Sequence, residues 1–385
     1  AATVLAFVVW LREKRSQHPA KLEPKRILLI RLDLLGDLIL TMPAVASLRQ
    51  RYPQAHIAML VLPYTAPAVS LFPYVDKLFT YDINKLRPSG DMLNPAHYLE
   101  LWRLIKRLRR ERYDLSVSFY GLYAGILALL SGARRRIGYR AEGCPFLYNL
   151  PVRGRRYMIR QHEVKYCLTL AKAAGASDPG VPLHTTIPDS ARERIATLLA
   201  QEGIGPQDLM IAIHPGSNNG TAKRWTASGW TSLADRLVHD MGARVIINGV
   251  ASELPLIQGI VGSMSARPTV MAGKTSILEL AALLSRCQAL VAGDSAPLHM
   301  AWALGTPVVG LYGPTDAAIS GPYGSRNVVI RKETGCPPCY DLSDTAECSK
   351  GNPVCMETIT PDEVYAAVES LLRAPQRTIQ RTATQ

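Results

Sequence analysis

The sequence predicts an α/β protein made of two doubly wound, Rossmann-like domains, and three observations lead to that reading. Arg26–Arg31 (RILLIR) holds an unbroken apolar run at its centre, as a strand covered on both faces requires. A short turn, a helical spacing and a second apolar run follow it, which is the start of a parallel βαβ unit. The carboxy-terminal half restarts with the same order of strand, loop, helix and strand, without a letter-level repeat between the halves. Finally, Leu290–Thr315 (LVAGDSAPLHMAWALGTPVVGLYGPT) reads as strand, tight turn, Ala-rich helix and strand, with Gly305 stopping the helix and Gly313-Pro314 closing the unit. At 385 residues and 48% hydrophobic content, the chain is long and apolar enough for two ordinary domains.

Taken in order, residues 1–24 form an apolar and basic segment. Ala1–Leu11 is apolar and Arg12, Lys14 and Arg15 follow it. Eleven residues fall short of the roughly 20 needed to span a bilayer. The segment reads as a membrane-anchor remnant, an interfacial helix or an unordered end; the initial Ala suggests a processed or truncated chain. Residues 25–180 form the first domain. Strand Arg26–Arg31 leads through the turn Leu32–Asp37 into a helix over Leu38–Arg51, which Pro53 ends, and His56–Leu62 is the next strand. Strand Val75–Thr80, basic helix Tyr98–Arg112, strand Leu115–Phe119 and apolar helix Gly121–Ser131 continue it, and Gly132–Gly138 with Tyr166–Ala174 completes it. Ser177–Pro188, rich in Pro, Gly, Asp and Ser, is the expected linker. Residues 181–372 form the second domain: helix Ser190–Glu202, strand Met210–His214, helix Thr226–Met241, strand Arg244–Asn248, helices Leu254–Ser263 and Ser276–Ser285, and then the unit described above. Residues 373–385 are a polar tail. Paired domains of this kind are expected to face across a cleft, with ligands at the carboxyl ends of the strands.

The net charge of +13 points to an anionic partner. Arg103–Arg112 and Arg134–Arg140 carry much of the excess, but aromatic residues are not interleaved with them, so a single-stranded nucleic-acid surface is not expected. A solvated helix face is the plain alternative for Arg103–Arg112. Seven cysteines in a chain of this length do not make a disulfide scaffold.

Three loops at strand ends carry polar groups. Gly36-Asp37 follows the first strand: Gly36 permits a tight turn, and Asp37 sits at a helix start either as a cap or with its carboxylate offered to a ligand. Asp33 is a weaker rival. His214–Trp225 (HPGSNNGTAKRW) leaves a strand with small, hydrogen-bonding residues and ends in two cations, a composition suited to cradling a diphosphate. It lacks the Gly-Lys-Ser/Thr of a Walker A loop, and no GxGxxG follows a strand. His214 alone reads as a structural histidine. The third loop holds Asp294, Ser295 and His299, with helix-start N–H groups that would hold an anion.

RILLIRLDLLGDLILTMPAVASLRQRYP, HPGSNNGTAKRW and GDSAPLHMAWALGTPVVGLYGPT together resemble glycosyltransferase family 9, the lipopolysaccharide heptosyltransferase family, whose fold is the two-domain GT-B arrangement. The resemblance implies an inverting glycosyltransferase that moves a sugar, typically heptose from ADP-heptose, onto a lipopolysaccharide core or related lipid-linked acceptor. It implies that Asp37 is the general base and that Lys223, with Ser217 and Thr221, holds the diphosphate. Asp294, Ser295, Ala296 and His299 match the family's Asp-[Ser/Thr]-Gly-x-x-His motif, and Glu253 matches an acidic position near the donor ribose. Ala296-Pro297 departs from that motif, and Pro297 removes one N–H donor. Metal-independent transfer is implied, and no Asp-x-Asp pair suited to a nucleotide-bound metal is present. Arg134, Arg135 and Arg136, with Gly36, are acceptor-side candidates for a phosphate- or carboxylate-bearing glycan at an anionic membrane surface. The chain is expected in the cytoplasm, peripheral on the inner face of the membrane, with no nucleic-acid partner. A non-catalytic nucleotide-sugar or anion-binding protein on the same scaffold is the alternative.

Four cysteines stand late in the chain as Cys336-x2-Cys339-x8-Cys348-x6-Cys355. A structural Zn²⁺ site, two disulfides and reduced packing thiols are all open readings of that spacing.

Overall fold

A computed structural model describes residues 22–374 except 87–92, 143, 155–159, 179–182, 218–219, 325, 337 and 340–346. The apolar segment Ala1–Leu11, the polar tail beyond residue 374 and Asn218-Asn219 of the expected diphosphate loop lie outside the described residues. The chain divides into two compact units, Ala1–Thr186 and Ile187–Gln385.

In the first unit, six parallel strands are ordered β3-β2-β1-β4-β5-β6. They are β1 (Arg26–Arg31), β2 (His56–Val61), β3 (Lys77–Thr80), β4 (Leu115–Ser118), β5 (Arg135–Tyr139) and β6 (Leu150–Val152). The central strand β1 pairs with β2 from Arg26↔His56 to Arg31↔Val61 and with β4 from Ile27↔Leu115. Helices cover both faces, which is why the strand reads as a continuous apolar run. Leu28 and Ile30 pack with Leu104 and Leu108 of helix Pro95–Arg110 and with Ala124, Leu127 and Ala128 of helix Leu122–Leu130. Helices Leu35–Arg51 and Glu163–Ala173 pack against each other.

The second unit repeats the plan in order β12-β11-β10-β7-β8-β9, all parallel where paired. Its strands are β7 (Met210–His214), β8 (Arg244–Ile247), β9 (Thr269–Val270), β10 (Ala289–Gly293), β11 (Val308–Tyr312) and β12 (Asn327–Arg331). Local chemistry sets the helix starts. Thr226 accepts from the Gly229 N–H at 3.0 Å to open helix Ala227–Met241, and Gly242, at φ 65°, ends it in the left-handed conformation. Ser276 and Glu279 form a reciprocal capping box before helix Ile277–Arg286, and Thr360 with Glu363 does the same for helix Pro361–Arg373.

One expectation needs adjusting. The helix expected from Leu38 begins at Leu35, so Gly36 and Asp37 belong to its first turn rather than to the turn before it. Helix Ala296–Leu304 starts after N-cap Ser295 with Pro297 in its first turn. Among the described residues, no helix is long and apolar enough to cross a membrane.

Candidate active site

In the first unit, chemistry gathers where β1 ends. Arg31 is the last residue of the strand and its guanidinium is fully buried, which is costly unless the charge is matched. Three carboxylates match it. Nη1 donates to Glu163 Oε1 at 2.9 Å, while Nη2 lies 3.2 Å from both Asp33 Oδ2 and Asp37 Oδ1. Burial alone would drive the guanidinium towards neutrality, but Glu163, Asp33 and Asp37 outweigh it and hold the positive charge firmly. Glu163 is itself buried at the head of its helix, whereas Asp33 and Asp37 each keep 18% of their side-chain surface exposed. Asp37 is therefore both oriented from below and reachable from solvent. Its carbonyl accepts from Thr41 Oγ1 at 2.8 Å. The helix N-cap position falls on Leu34, and the Asp37 carboxylate in the first turn meets Arg31. Asp33 also accepts the Leu34 N–H at 2.9 Å. Tyr64 is close enough to feel both aspartates: burial, then Asp33 and Asp37, push its hydroxyl up to about 12.

Arg134–Arg136 stand elsewhere. Arg135 pairs with Leu115, which lies beside Ile27, so the triplet begins the amino end of β5 while Asp37 sits past the carboxyl end of β1. Arg136 is buried, with Nε donating to the Leu147 carbonyl at 2.8 Å and Nη1 to that of Ala133 at 3.2 Å. It is a framework residue. Arg134 is exposed, 3.8 Å from Asp114. The expectation that this triplet serves the acceptor beside Gly36 and Asp37 is corrected by strand direction: consecutive parallel strands all present their carboxyl ends on one edge, and the triplet is on the other. Arg140 and Arg153, which follow β5 and β6, are exposed cations on the carboxyl edge.

In the second unit, the loops after β7, β8 and β10 pack together. Ser217 is buried; its Oγ donates to the Gly220 carbonyl at 2.5 Å and accepts from Arg224 Nε at 3.2 Å, so the loop is closed by its own hydroxyl. Thr221, Ala222 and Lys223 form one 3₁₀ turn, with Thr221 exposed and Lys223 half-buried. Trp225 then anchors the loop: its Nε1 donates to the Ile359 carbonyl at 3.0 Å, and its ring meets Trp230 edge-on. Glu253 binds the Val250 N–H at 2.8 Å and packs on Gly216, where an added Cβ would lie 1.9 Å from its Oε1. A larger residue at Gly216 would have to displace the Glu253 carboxylate. His214 is buried with Nδ1 3.2 Å from the Asn248 carbonyl, and burial pushes its pKa down although Glu253 and Asn248 pull the other way, so it stays neutral. The structural reading of His214 matches this placement.

Gly293 at the end of β10 touches the neighbouring loop, an added Cβ lying 3.0 Å from the Lys223 carbonyl. Asp294 follows, half-buried, with Oδ1 3.4 Å from His299 Nε2 and 3.4 Å from the Tyr312 hydroxyl, and Oδ2 accepting from Ser320 Oγ at 3.3 Å. Burial would raise its pKa, but His299 and then Lys223 overcome that and hold it below the ordinary carboxylate range. Nδ1 of the buried His299 has no hydrogen-bond partner among the described residues. At the start of helix Ala296–Leu304, Pro297 has no N–H and that of Leu298 returns to the Ser295 carbonyl at 3.1 Å. The expected row of donors over Ser295–Leu298 is thus reduced to Ser295 and Ala296. The Ser295 hydroxyl donates to the Gly293 carbonyl at 3.1 Å. Sequence reading missed Arg31, Glu163, Tyr64, Arg224, Tyr312 and Ser320; only Arg224, beside Lys223 in the loop, carried a local signal.

The late cysteines gather beside the same loops. The Cys339 N–H donates to the Pro314 carbonyl at 2.9 Å, and Cys339, Cys348 and Cys355 line a small cavity with Ala222 and Pro314. Cys336 accepts from Lys350 Nζ at 3.2 Å. All four are free thiols, and among the described residues no three His, Cys, Asp or Glu side chains are grouped to hold a metal ion.

Comparison with known proteins identifies the family. The profile of glycosyltransferase family 9 (heptosyltransferase) matches residues 101–350, more than half of the chain. The chain is 28% identical over 348 residues to lipopolysaccharide heptosyltransferase 3 of Escherichia coli, covering 88% of this chain and 96% of that protein. Its fold is similar to the crystal structure of a glycosyltransferase family 9 protein from Veillonella parvula DSM 2008, with TM-score 0.78, 25% identity, and 92% and 99% of the two chains covered. It is also similar to the structure of E. coli ADP-heptose lipopolysaccharide heptosyltransferase II, with TM-score 0.71, 24% identity, and 90% and 98% covered. Sheet order, family profile and fold agree: the chain belongs to glycosyltransferase family 9, the heptosyltransferase family, and is a glycosyltransferase of GT-B fold.

Proposed function

We propose that this enzyme transfers a heptose from ADP-heptose, with inversion, to a lipopolysaccharide core or a related lipid-linked glycan. The single observation that carries the reading is Asp37: an ionisable, solvent-reachable carboxylate held by a buried guanidinium at the carboxyl end of the central strand. As general base it takes the proton of the acceptor hydroxyl while that oxygen bonds to the anomeric carbon. The bond from the anomeric carbon to the phosphate oxygen breaks on the opposite face, and ADP leaves with the electron pair. The second unit holds the donor. Lys223 and the exposed hydroxyl of Thr221 meet the diphosphate, the buried Ser217 hydroxyl holds the loop closed instead of reaching the ligand, and the Ser295 and Ala296 N–H groups stabilise the charge that develops on it. Asp294 fixes His299 beside that helix start, and Glu253 sets the shape of the loop that receives the nucleoside. ADP-heptose and the lipopolysaccharide acceptor are read from the named relatives.

A nucleotide-sugar donor together with a lipid-linked acceptor supports a peripheral position on the cytoplasmic face of the membrane. A structural Zn²⁺ at Cys336, Cys339, Cys348 and Cys355 is supported by their sequence spacing alone, and the Cys336–Lys350 contact would have to be exchanged for metal. Metal content of the purified protein decides this: about one zinc per chain supports it, and zinc-free folded protein removes it. The test of the main reading is acceptor-dependent release of ADP from ADP-heptose, with the heptosylated acceptor identified by mass. Donor binding without acceptor-dependent turnover would instead make this chain a nucleotide-sugar-binding protein.

A further inference from the structure

Helix Pro95–Arg110 (PAHYLELWRLIKRLRR) has a face that neither the fold nor the transfer chemistry uses. Its inner stripe is committed to the core: Leu104 and Leu108 are buried, and Leu101 and Ile105 half-buried. At about 100° per residue, Leu99, Arg103, Lys106 and Arg110 fall on the stripe directly opposite, flanked by Tyr98 and Trp102. That outer face combines two unlike features. Tyr98, Leu99 and Trp102 are 49%, 45% and 51% exposed in its amino-terminal half, and Leu93 just before the helix is 89% exposed. The other half is cationic: Arg103, Lys106, Arg107, Arg109 and Arg110 are all exposed, and Glu100 is the helix's one acid, already paired with Lys85 at 2.7 Å. Lys106 Nζ lies 3.4 Å above the Trp102 ring, so the charge and the aromatic surface are joined.

An exposed cluster of Trp, Tyr and Leu beside a block of cations is the composition of a surface that sits in the headgroup region of an anionic bilayer. Aromatic rings with a polar edge enter the boundary between headgroups and chains, and Lys and Arg meet lipid phosphates. A single-stranded nucleic-acid surface would need the rings interleaved with the charges, and here they are segregated along the helix.

We infer that the outer face of helix Pro95–Arg110 docks the protein on an anionic phospholipid surface, Tyr98, Leu99 and Trp102 entering the interface and Arg103, Lys106 and Arg110 binding phosphate headgroups. This stands apart from the roles of Asp37 and Lys223 and does not depend on them.

The test is co-sedimentation of the full chain with phosphatidylcholine vesicles, with and without phosphatidylglycerol. The expected result is binding that needs phosphatidylglycerol and weakens as salt is raised. The triple variant Arg103→Glu/Lys106→Glu/Arg110→Glu should lose at least about tenfold in affinity, with an unchanged melting temperature because these side chains are exposed. Trp102→Ser should lose several-fold at every salt concentration, since it removes interfacial rather than charge contact. Asp37→Asn should bind vesicles like the parent, which separates this inference from the transfer reading. Equal binding of the parent and the triple variant, or equal binding to neutral and anionic vesicles, overturns it. So does a polynucleotide that displaces the protein from vesicles at stoichiometric amounts, or a helix-dependent dimer that forms in place of vesicle binding; either assigns the face to another partner.

Discussion

The loop after β1 and the loop after β7 hold the same place in two sheets of the same order, since β9-β8-β7-β10-β11-β12 repeats β3-β2-β1-β4-β5-β6. Their chemistry is opposite. Around the first, one buried guanidinium is surrounded by Asp33, Asp37 and Glu163, an acidic balance of three carboxylates to one cation. Around the second, Lys223 and Arg224 follow hydroxyl-bearing residues, and the neighbouring Asp294 is engaged within its own unit by His299. The repeated sheet supplies position only; what each unit can do is decided by a handful of side chains at one strand end. In the proposed function the difference also divides the labour, with base chemistry on one loop and anion binding on the other.

The sharpest way to break that division is Asp37→Asn, which keeps the shape and removes the base. Transfer should fall by about 10²–10⁴-fold, measured as acceptor-dependent ADP release under saturating donor. A turnover within a few-fold of the parent would move the base elsewhere, with Asp33 as the next candidate.

Arg31→Met tests whether the acidic loop depends on its buried cation. Leaving Asp33, Asp37 and Glu163 without it should destabilise the first unit by about 3–5 kcal/mol, read from denaturant unfolding. Arg31→Lys should recover part of the stability but lose the geometry by which one Nη meets both aspartates. Unchanged unfolding for Arg31→Met would show that the carboxylates are neutral in the folded protein.

On the other loop, Lys223→Ala should weaken binding of ADP by about 10-fold or more, the size of a charge-assisted contact of about 1.5–3 kcal/mol. Unaltered affinity would mean that the diphosphate lies elsewhere.

The smallest effect comes from His214. Burial lowers its folded pKa below the unfolded value of about 6.5, so the unfolded chain takes up a proton that the folded chain does not. Stability from this group is therefore complete above about pH 6.5 and declines as pH falls from there towards the folded pKa, by at most about 1.4 kcal/mol per pH unit. Unfolding free energies at pH 7 and pH 5.5 should differ accordingly, and His214→Gln should flatten that difference. Asp294, held low, contributes in the opposite range: its stabilisation is present above the unfolded carboxylate pKa of about 4 and is lost as pH falls below it.

How far the sequence could be read depended on how local the signal was. β1 and β7 were legible residue by residue because their apolar runs and the polar loops that follow are continuous in the chain. Of the edge strands, β6, β9 and β12 were not. Thr269–Val270 is too short to show a period, Leu150–Val152 contains Pro151, which reads as a loop, and Asn327–Arg331 is only half-buried. The capping box Thr360–Glu363 was a local signal for helix Pro361–Arg373 that periodicity alone did not bring out. Among site residues, Lys223 and Asp294 stand in motifs, but the Arg31–Glu163 contact joins positions 132 residues apart and leaves no trace in spacing. Arg136 misled for the converse reason. A charge in a basic run reads as exposed, whereas its guanidinium is buried against two backbone carbonyls.

Calorimetric binding of the donor sugar nucleotide to Asp37→Asn and Lys223→Ala, run side by side with the parent, bears most directly on the division between the two loops. Near-parental affinity for Asp37→Asn together with about tenfold or greater loss for Lys223→Ala is the predicted pair of results. Loss of donor affinity in Asp37→Asn with none in Lys223→Ala would contradict the account outright.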